Sequence, residues 1–158
     1  MITFVSTSPE LLEVELSIIN SNPFYNRIIK GREKLTAEEI QQEVEETIQL
    51  GAERYVICSD DQPIGIVEYL SLNPNDGYPW LGLFMIDKAY QGRGYGNQAF
   101  QAFEQRLIRQ KIQAFRLAVN IENEPAHIFW KRQNLQYVKH SITHNNMEVI
   151  IYEKKFDS

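Results

Sequence analysis

Asp87-Lys88-Ala89-Tyr90-Gln91-Gly92-Arg93-Gly94-Tyr95-Gly96-Asn97 joins an apolar run, Leu81 to Ile86, to an amphipathic stretch that starts near Asn97. The apolar run reads as a strand and the stretch after it as a helix. Glycines therefore crowd a helix N-terminus, where the first backbone N–H groups have no partner within the helix and point one way. Such a turn is a ready site for a phosphate or pyrophosphate. Glycine lets the backbone approach the anion because no Cβ stands in the way.

Two familiar phosphate loops do not fit. A P-loop needs a Lys-Ser or Lys-Thr pair after its last glycine, and none follows here. A dinucleotide loop needs Gly-x-Gly-x-x-Gly, whereas Gly92, Gly94 and Gly96 alternate. These two absences speak against a nucleotide-binding domain. Gln91, Gly94 and Gly96 do fill Gln/Arg-x-x-Gly-x-Gly/Ala, and in this the run resembles the acetyl-coenzyme A (acetyl-CoA) loop of the GNAT family of N-acetyltransferases. A second stretch, Asn123 to Leu135, is similar to the family's Asn-x-x-Ala-x-x-Leu/Phe-Tyr-x-x-x-Gly-Phe through Asn123, Ala126 and Phe129. Trp130 stands at the tyrosine, Asn134 at the glycine and Leu135 at the phenylalanine. Asn is the other residue that tolerates the left-handed end of a helix.

At 158 residues the chain fits one domain, and it is long enough to bury roughly 70% of its unfolded surface. Its lone Cys58 sits in an apolar run and reads as a buried structural thiol in a reducing compartment. The start, Met1-Ile2-Thr3-Phe4-Val5, lacks a charged leader, and no apolar window has the length of a membrane span, so a cytoplasmic protein is expected. Residues 1–79 carry 14 acidic and 5 basic side chains, residues 80–158 carry 7 and 11. The basic half holds both motifs, which suits a ligand with three phosphates, and the acidic half favours a cationic amine. A net charge of −5 argues against nucleic acid as partner. The acidic residues from Glu38 to Glu46 also read simply as one solvated helix face. His140 and His144 straddle a strand and a turn and are joined by no further ligand, so no metal is expected.

A first strand is expected at Ile2 to Val5, and a helix from Ser8-Pro9 carrying Leu12, Leu16 and Ile19. Phe24 to Lys34 reads as irregular or as a short helix. A capping box of Thr36 and Glu39 opens a further helix that Gly51 ends. Arg54 to Ser59 and Ile64 to Leu72 flank a hairpin turn, and an additional short strand is placed near Ser71 to Trp80. The loop's helix, Asn97 to Lys111, has Ala99, Phe100, Phe103, Leu107 and Ile108 as its buried stripe. Ala114 to Val119, a short helix from Pro125 to Gln133, and a closing hairpin of Tyr137 to His140 with Met147 to Glu153 complete the chain. The order suits an α+β (mixed α/β) chain. The resemblance makes it the GNAT acyl-CoA N-acyltransferase fold: a central mixed, mostly antiparallel sheet flanked by helices, one N-acetyltransferase domain over residues 1–158.

The resemblance implies direct attack of a primary amine on the thioester of acetyl-CoA. The amine could belong to a small molecule, a peptide N-terminus or a lysine. It places the cofactor against Phe84, Met85 and Ile86, the loop residues Gln91, Gly92, Arg93, Gly94, Tyr95, Gly96 and Asn97, and Asn123, Phe129 and Trp130. The oxyanion donor is expected to be a backbone N–H of the strand before the loop, assigned to Met85, where two parallel strands splay apart. A donor of this kind contributes about 3 kcal/mol. An alkyl amine with pKa near 10.4 is only about one part in a thousand neutral at pH 7, so a base helps. Ala118 occupies the place where some relatives carry a glutamate, which leaves Glu68 and Asp87. Trp130 cannot act as an acid. Tyr90, Tyr95 or Tyr137 could protonate the thiolate, with Tyr137 taken as the catalytic candidate, and a thiol of pKa about 8.5 also leaves tolerably unaided. Phe24, Tyr25 and Tyr69 are the expected acceptor wall. Homodimers are common in the fold, though no residue here specifies one. An alternative consistent with the replaced tyrosine and glutamate is a non-catalytic acyl-CoA-binding module.

Overall fold

The computed structural model describes residues 1–156 of the chain. In chain order its elements are β1 (Ile2–Ser6), α1 (Leu12–Asn20), α2 (Pro23–Lys30), α3 (Ala37–Gln49), β2 (Glu53–Ser59), β3 (Gln62–Leu70), β4 (Trp80–Ile86), α4 (Tyr95–Arg109), β5 (Ala114–Asn120), α5 (Glu124–Arg132), β6 (Gln136–Ile142) and β7 (Glu148–Lys155). The seven strands make one sheet in the order β1-β2-β3-β4-β5-β7-β6. Neighbours are antiparallel except β4 and β5, which are parallel and register at one pair only, Trp80 with Arg116. No described helix is long and apolar enough to cross a membrane.

Local chemistry accounts for the boundaries. Thr36 accepts from the Glu39 N–H while the Glu39 carboxylate accepts from the Thr36 N–H, so the expected capping box opens α3. Gly51, at φ 92°, closes it. The β2–β3 hairpin turns on Asp60 and Asp61, both left-handed at φ 48° and 67°, a conformation that Asp tolerates and that matches the strand twist. Ser8 does not cap: Pro9–Leu11 forms a short 3-10 turn first, with no side-chain bond from Ser8, and α1 starts at Leu12. Phe24 to Lys34 contains the regular helix α2, which Pro23 starts and Gly31 ends at φ 77°. The strand expected near Ser71 to Trp80 does not form. Asn73 and Asp76 accept backbone N–H groups from Asn75 and Tyr78 and hold that segment in turns until Trp80.

Two apolar clusters sandwich the sheet. On one face Phe100, Phe103 and Leu107 of α4 meet Val67, Tyr69, Phe115 and Leu117. On the other Ile18, Ile19 and Ile40 of α1 and α3 meet Ile66 and Met85. Each of the larger side chains contributes roughly 2–3 kcal/mol by burial. Ile108, expected in the α4 stripe, is instead 44% exposed, one position past the arc that meets the sheet.

Candidate active site

The glycine loop is built from its ends inward. Asp87 caps the 3-10 turn Lys88–Tyr90 by accepting the Ala89 N–H at 2.9 Å, which makes it a turn residue rather than a base. Gln91 Nε2 donates to the Ile86 carbonyl (2.8 Å) and to Asn22 Oδ1 (2.7 Å), tying the loop to the end of β4 and to the corner between α1 and α2. Gly92 and Gly94 then sit at φ 74° and 85°, where a side chain is strained. The first helical bond of α4 runs from the Gln98 N–H to the Gly94 carbonyl at 3.1 Å. From Gly92 to Asn97 no backbone N–H has an acceptor among the described residues. These six donors, at the positive end of the α4 dipole, make a cradle of a kind suited to an anion.

The cradle opens on a cleft of about 610 Å³ between α4 and α5. Phe84, Ile86, Phe129 and Trp130 form its apolar wall, while Gln91, Gly92, Gly94, Gly96 and Asn97 form the loop side. Phe129 stacks on Phe84 (centroids 6.0 Å, 21° apart) and packs edge-on against Trp130 at 4.8 Å. A Cβ on Gly96 would meet the Phe129 ring at 3.4 Å, so the start of α4 lies against this wall. The side chains of Arg93 and Tyr95 turn away: Arg93 lies over the Tyr90 and Tyr95 rings at 5.6 and 5.3 Å. Neither residue lines the cleft, and Tyr90 and Tyr95 pack edge-on against each other outside it.

Beyond Trp80, β4 and β5 part, and the gap holds a slot of about 120 Å³ walled by Leu83, Phe84, Leu117, Ala118 and Trp130. Phe84 and Trp130 are shared with the larger cleft. Which N–H faces the gap follows from the ladder. The Asp87 N–H donates to Ile64 on β3 at 2.7 Å, and a Cβ on Gly65 of β3 would lie 2.4 Å from the Met85 carbonyl oxygen. Backbone groups of an antiparallel strand alternate in direction, so Met85 is bonded into β3 and Phe84 and Ile86 face β5. The oxyanion donor is thus not Met85. Phe84, at the slot, has the N–H that is aimed into the gap. Asn123, the N-cap of α5, accepts the Ala126 N–H through its Oδ1, and the residue lines the slot.

His127, buried one turn on, pins α5 in place. Its Nε2 lies 3.0 Å from the Asn120 carbonyl and its Nδ1 2.6 Å from the Tyr152 hydroxyl. A carbonyl only accepts, so Nε2 carries the proton and Tyr152 donates to Nδ1.

α2 closes the other side of the slot. Tyr25 and Ile29 line it, and Phe24 with Tyr25 walls the adjoining hollow that runs to Asn123. Tyr69 does not join them. It points to the opposite face of the sheet, 2% exposed and packed on Phe103 at 5.8 Å, because odd-numbered side chains of β3 face α4. Tyr137 is also displaced, lying 64% exposed on the edge strand β6. Three strand spacings separate β6 from β4, about 14 Å, so it cannot serve a thiolate at Phe84.

Glu68 points to the α2 side and is not free. Arg54, with no exposed side-chain surface, donates from Nη1 to Glu68 Oε1 at 2.9 Å and from Nε to Glu15 Oε1 at 2.8 Å. Burial pulls the Arg54 pKa down, yet the two carboxylates more than offset this and leave it raised. Burial, then Glu43 and Glu68, push the Tyr25 hydroxyl up to about 12.

A model of the Acetyltransferase (GNAT) family matches residues 19–134, well over half of the chain. The chain belongs to the GNAT family. Among solved structures, an acetyltransferase from Thermus thermophilus superposes with a TM-score of 0.82 at 20% identity, covering 99% of this chain and 97% of that one. The acetyltransferase that modifies the N-terminal serine of ribosomal protein L7/L12 from Salmonella typhimurium gives 0.80 at 16% identity, covering 99% and 95%. An L7/L12 N-acetyltransferase in complex with coenzyme A gives 0.79, also at 16%, covering 99% and 94%. These likenesses establish the GNAT fold. In sequence, an uncharacterized Bacillus subtilis protein, YkzC, is 28% identical over 80 residues, which span 51% of this chain and 56% of that relative.

Two features of this GNAT site escape the sequence. Arg132 lines the cleft between α4 and α5, and a cation in the last turn of the second-motif helix is its only signal. The Glu15–Arg54–Glu68 cluster joins residues far apart in the chain, and no local pattern announces it.

Proposed function

We propose that the protein is an acetyl-CoA-dependent N-acetyltransferase acting on a primary amine in the cytoplasm. The observation that carries this reading is the run of N–H groups from Gly92 to Asn97 without an acceptor among the described residues, where Gly92, Gly94, Gly96 and Asn97 line a cleft that leads to the β4–β5 gap. Acetyl-CoA is a substrate in this reading. Its pyrophosphate suits the cradle, and Arg132 adds a cation on the same cleft. Its thioester end suits the apolar wall of Phe84 and Trp130, with the Phe84 N–H stabilising the developing oxyanion. The amine nitrogen bonds to the carbonyl carbon, the carbon–sulfur bond breaks, and sulfur leaves as thiolate. Each turnover yields one amide and one thiol and releases the proton that the ammonium carried. Tyr25 is the only phenol on the slot among the described residues. With a pKa near 12 it keeps its proton and donates a hydrogen bond rather than acting as an acid.

The test has two stages. Thermal melts with saturating acetyl-CoA come first: at a hundredfold excess over Kd, binding adds about 2.7 kcal/mol, a rise of several degrees. Turnover on an alkylamine, a lysine side chain and a peptide N-terminus comes second. No shift with acetyl-CoA or free CoA overturns the reading. A shift without transfer to any amine leaves an acyl-CoA-binding module.

A further inference from the structure

We propose that Glu68 is the ammonium-binding residue for the acceptor, and that Arg54, anchored by Glu15, is the positioning residue that presents its free oxygen. The inference rests on the acetyltransferase reading and adds the acceptor side to it. Arg54 and Glu68 are register partners across β2 and β3, and the ion pair uses only Oε1 of Glu68. The other oxygen, Oε2, lies 3.2 Å from where a Cβ on Gly82 would be. Gly82 is the extra residue where the β3–β4 register shifts between Glu68 and Tyr69, and it lines the slot together with Tyr25. At this bulge Gly82, a residue of the slot's lining, thus stands next to a carboxylate oxygen with no side chain of its own between them.

The charges there leave room for a cation. Glu15 and Glu68 share one guanidinium, and Thr7 donates only a neutral hydroxyl to Glu15. The cluster holds one net formal negative charge, and its Glu68 and Arg54, like Glu43 of α3, act on the Tyr25 hydroxyl from α2. An uncompensated negative charge in a partly buried site favours an entering ammonium. Oε2 accepts its hydrogen bond and then one proton, freeing the neutral nitrogen that attacks the thioester carbon. Arg54 keeps the carboxylate from rotating, and Glu15 keeps Arg54 from swinging away.

The experiment compares Glu68→Gln, Glu15→Gln, Arg54→Lys and Gly82→Ala with the parent. Acetyl-CoA-induced melting shifts establish that each variant folds and binds. The KM for acetyl-CoA should stay within about twofold. The kcat/KM for the amine should fall about tenfold to a hundredfold in Glu68→Gln, as expected for loss of a charge-assisted hydrogen bond. Gly82→Ala covers Oε2 without removing a charge and should raise the KM for the amine. Arg54→Lys, which keeps the charge but not the fork, should lose less than Glu68→Gln. Calorimetric binding of n-butylamine to the CoA complex, present in the parent and lost in Glu68→Gln, reads the same contact without turnover. Glu68→Gln and Gly82→Ala at parental kcat/KM, or n-butylamine bound equally by both proteins, would overturn the proposal. No transfer by the parent, with n-butylamine binding lost only in Glu68→Gln, would count against the enzyme reading alone.

Discussion

Gly94 tests the cradle most directly. At φ 85° it resists any side chain, so Gly94→Asn and Gly94→Asp carry similar backbone strain and differ in charge. Asn tolerates this conformation. The carboxylate of Asp instead lies where a pyrophosphate would sit, and two like charges a few ångströms apart near a surface repel by about 4 kcal/mol. Gly94→Asp should weaken acetyl-CoA binding by at least about a hundredfold relative to Gly94→Asn, read by calorimetry. Equal affinity in both would place the phosphates elsewhere. Trp130 asks a different question. It is 7% exposed and wedged among Phe84, Phe100 and Phe129, so its work is packing. Trp130→Phe should keep kcat within about tenfold, the direction expected when a cavity rather than a lost acid is the only change. The loop glycines, Asn123 and Trp130 are legible in the sequence because each answers to a local constraint: a left-handed turn, a helix cap, an apolar position. Met85 is misread there because the direction of a strand's N–H depends on the partner strand, and Tyr69 because a strand's face depends on the sheet around it.

At the scale of elements, legibility follows the same division. α3 announces itself through Thr36, Glu39, Ile40 and Gly51, all short-range signals. α2 is ambiguous from sequence, since Phe24 to Lys30 has an amphipathic spacing that only its packing on the slot makes decisive. The strand anticipated before Trp80 is lost to Asn73 and Asp76, whose side chains compete for backbone N–H groups. α3 also provides a control for any site experiment. Thr36→Ala removes one half of the capping box and should cost about 1 kcal/mol, lowering Tm by a few degrees. α3 packs on the face opposite α4, so the acetyl-CoA-induced shift in Tm should be unchanged. A diminished shift would mean that the helices on that face hold the cradle in shape.

The whole molecule places its two chemistries on the two sides of one sheet. The cradle and aromatic cleft belong to the α4–α5 side and the carboxylate cluster to the α1–α3 side. That division buries titratable groups on both faces, with a consequence for alkaline stability. Burial, then Glu43 and Glu68, raise Tyr25 from 10.0 to about 12, and burial, then Glu53, raises Tyr69 likewise. Above about pH 10 the unfolded chain releases these protons while the folded chain retains them, so stability is complete below that pH and is lost as pH rises toward about 12. Denaturant titrations across this window should show a steep fall, shallower in Tyr25→Phe and in Tyr69→Phe. Because Tyr25 and Tyr69 stand on opposite faces with different carboxylate neighbours, their contributions should add in the double variant. Parental slopes in both single variants would mean that their hydroxyls reach water in the folded state, and with Tyr25 exposed the slot beside Glu68 would be wetter than its walls imply.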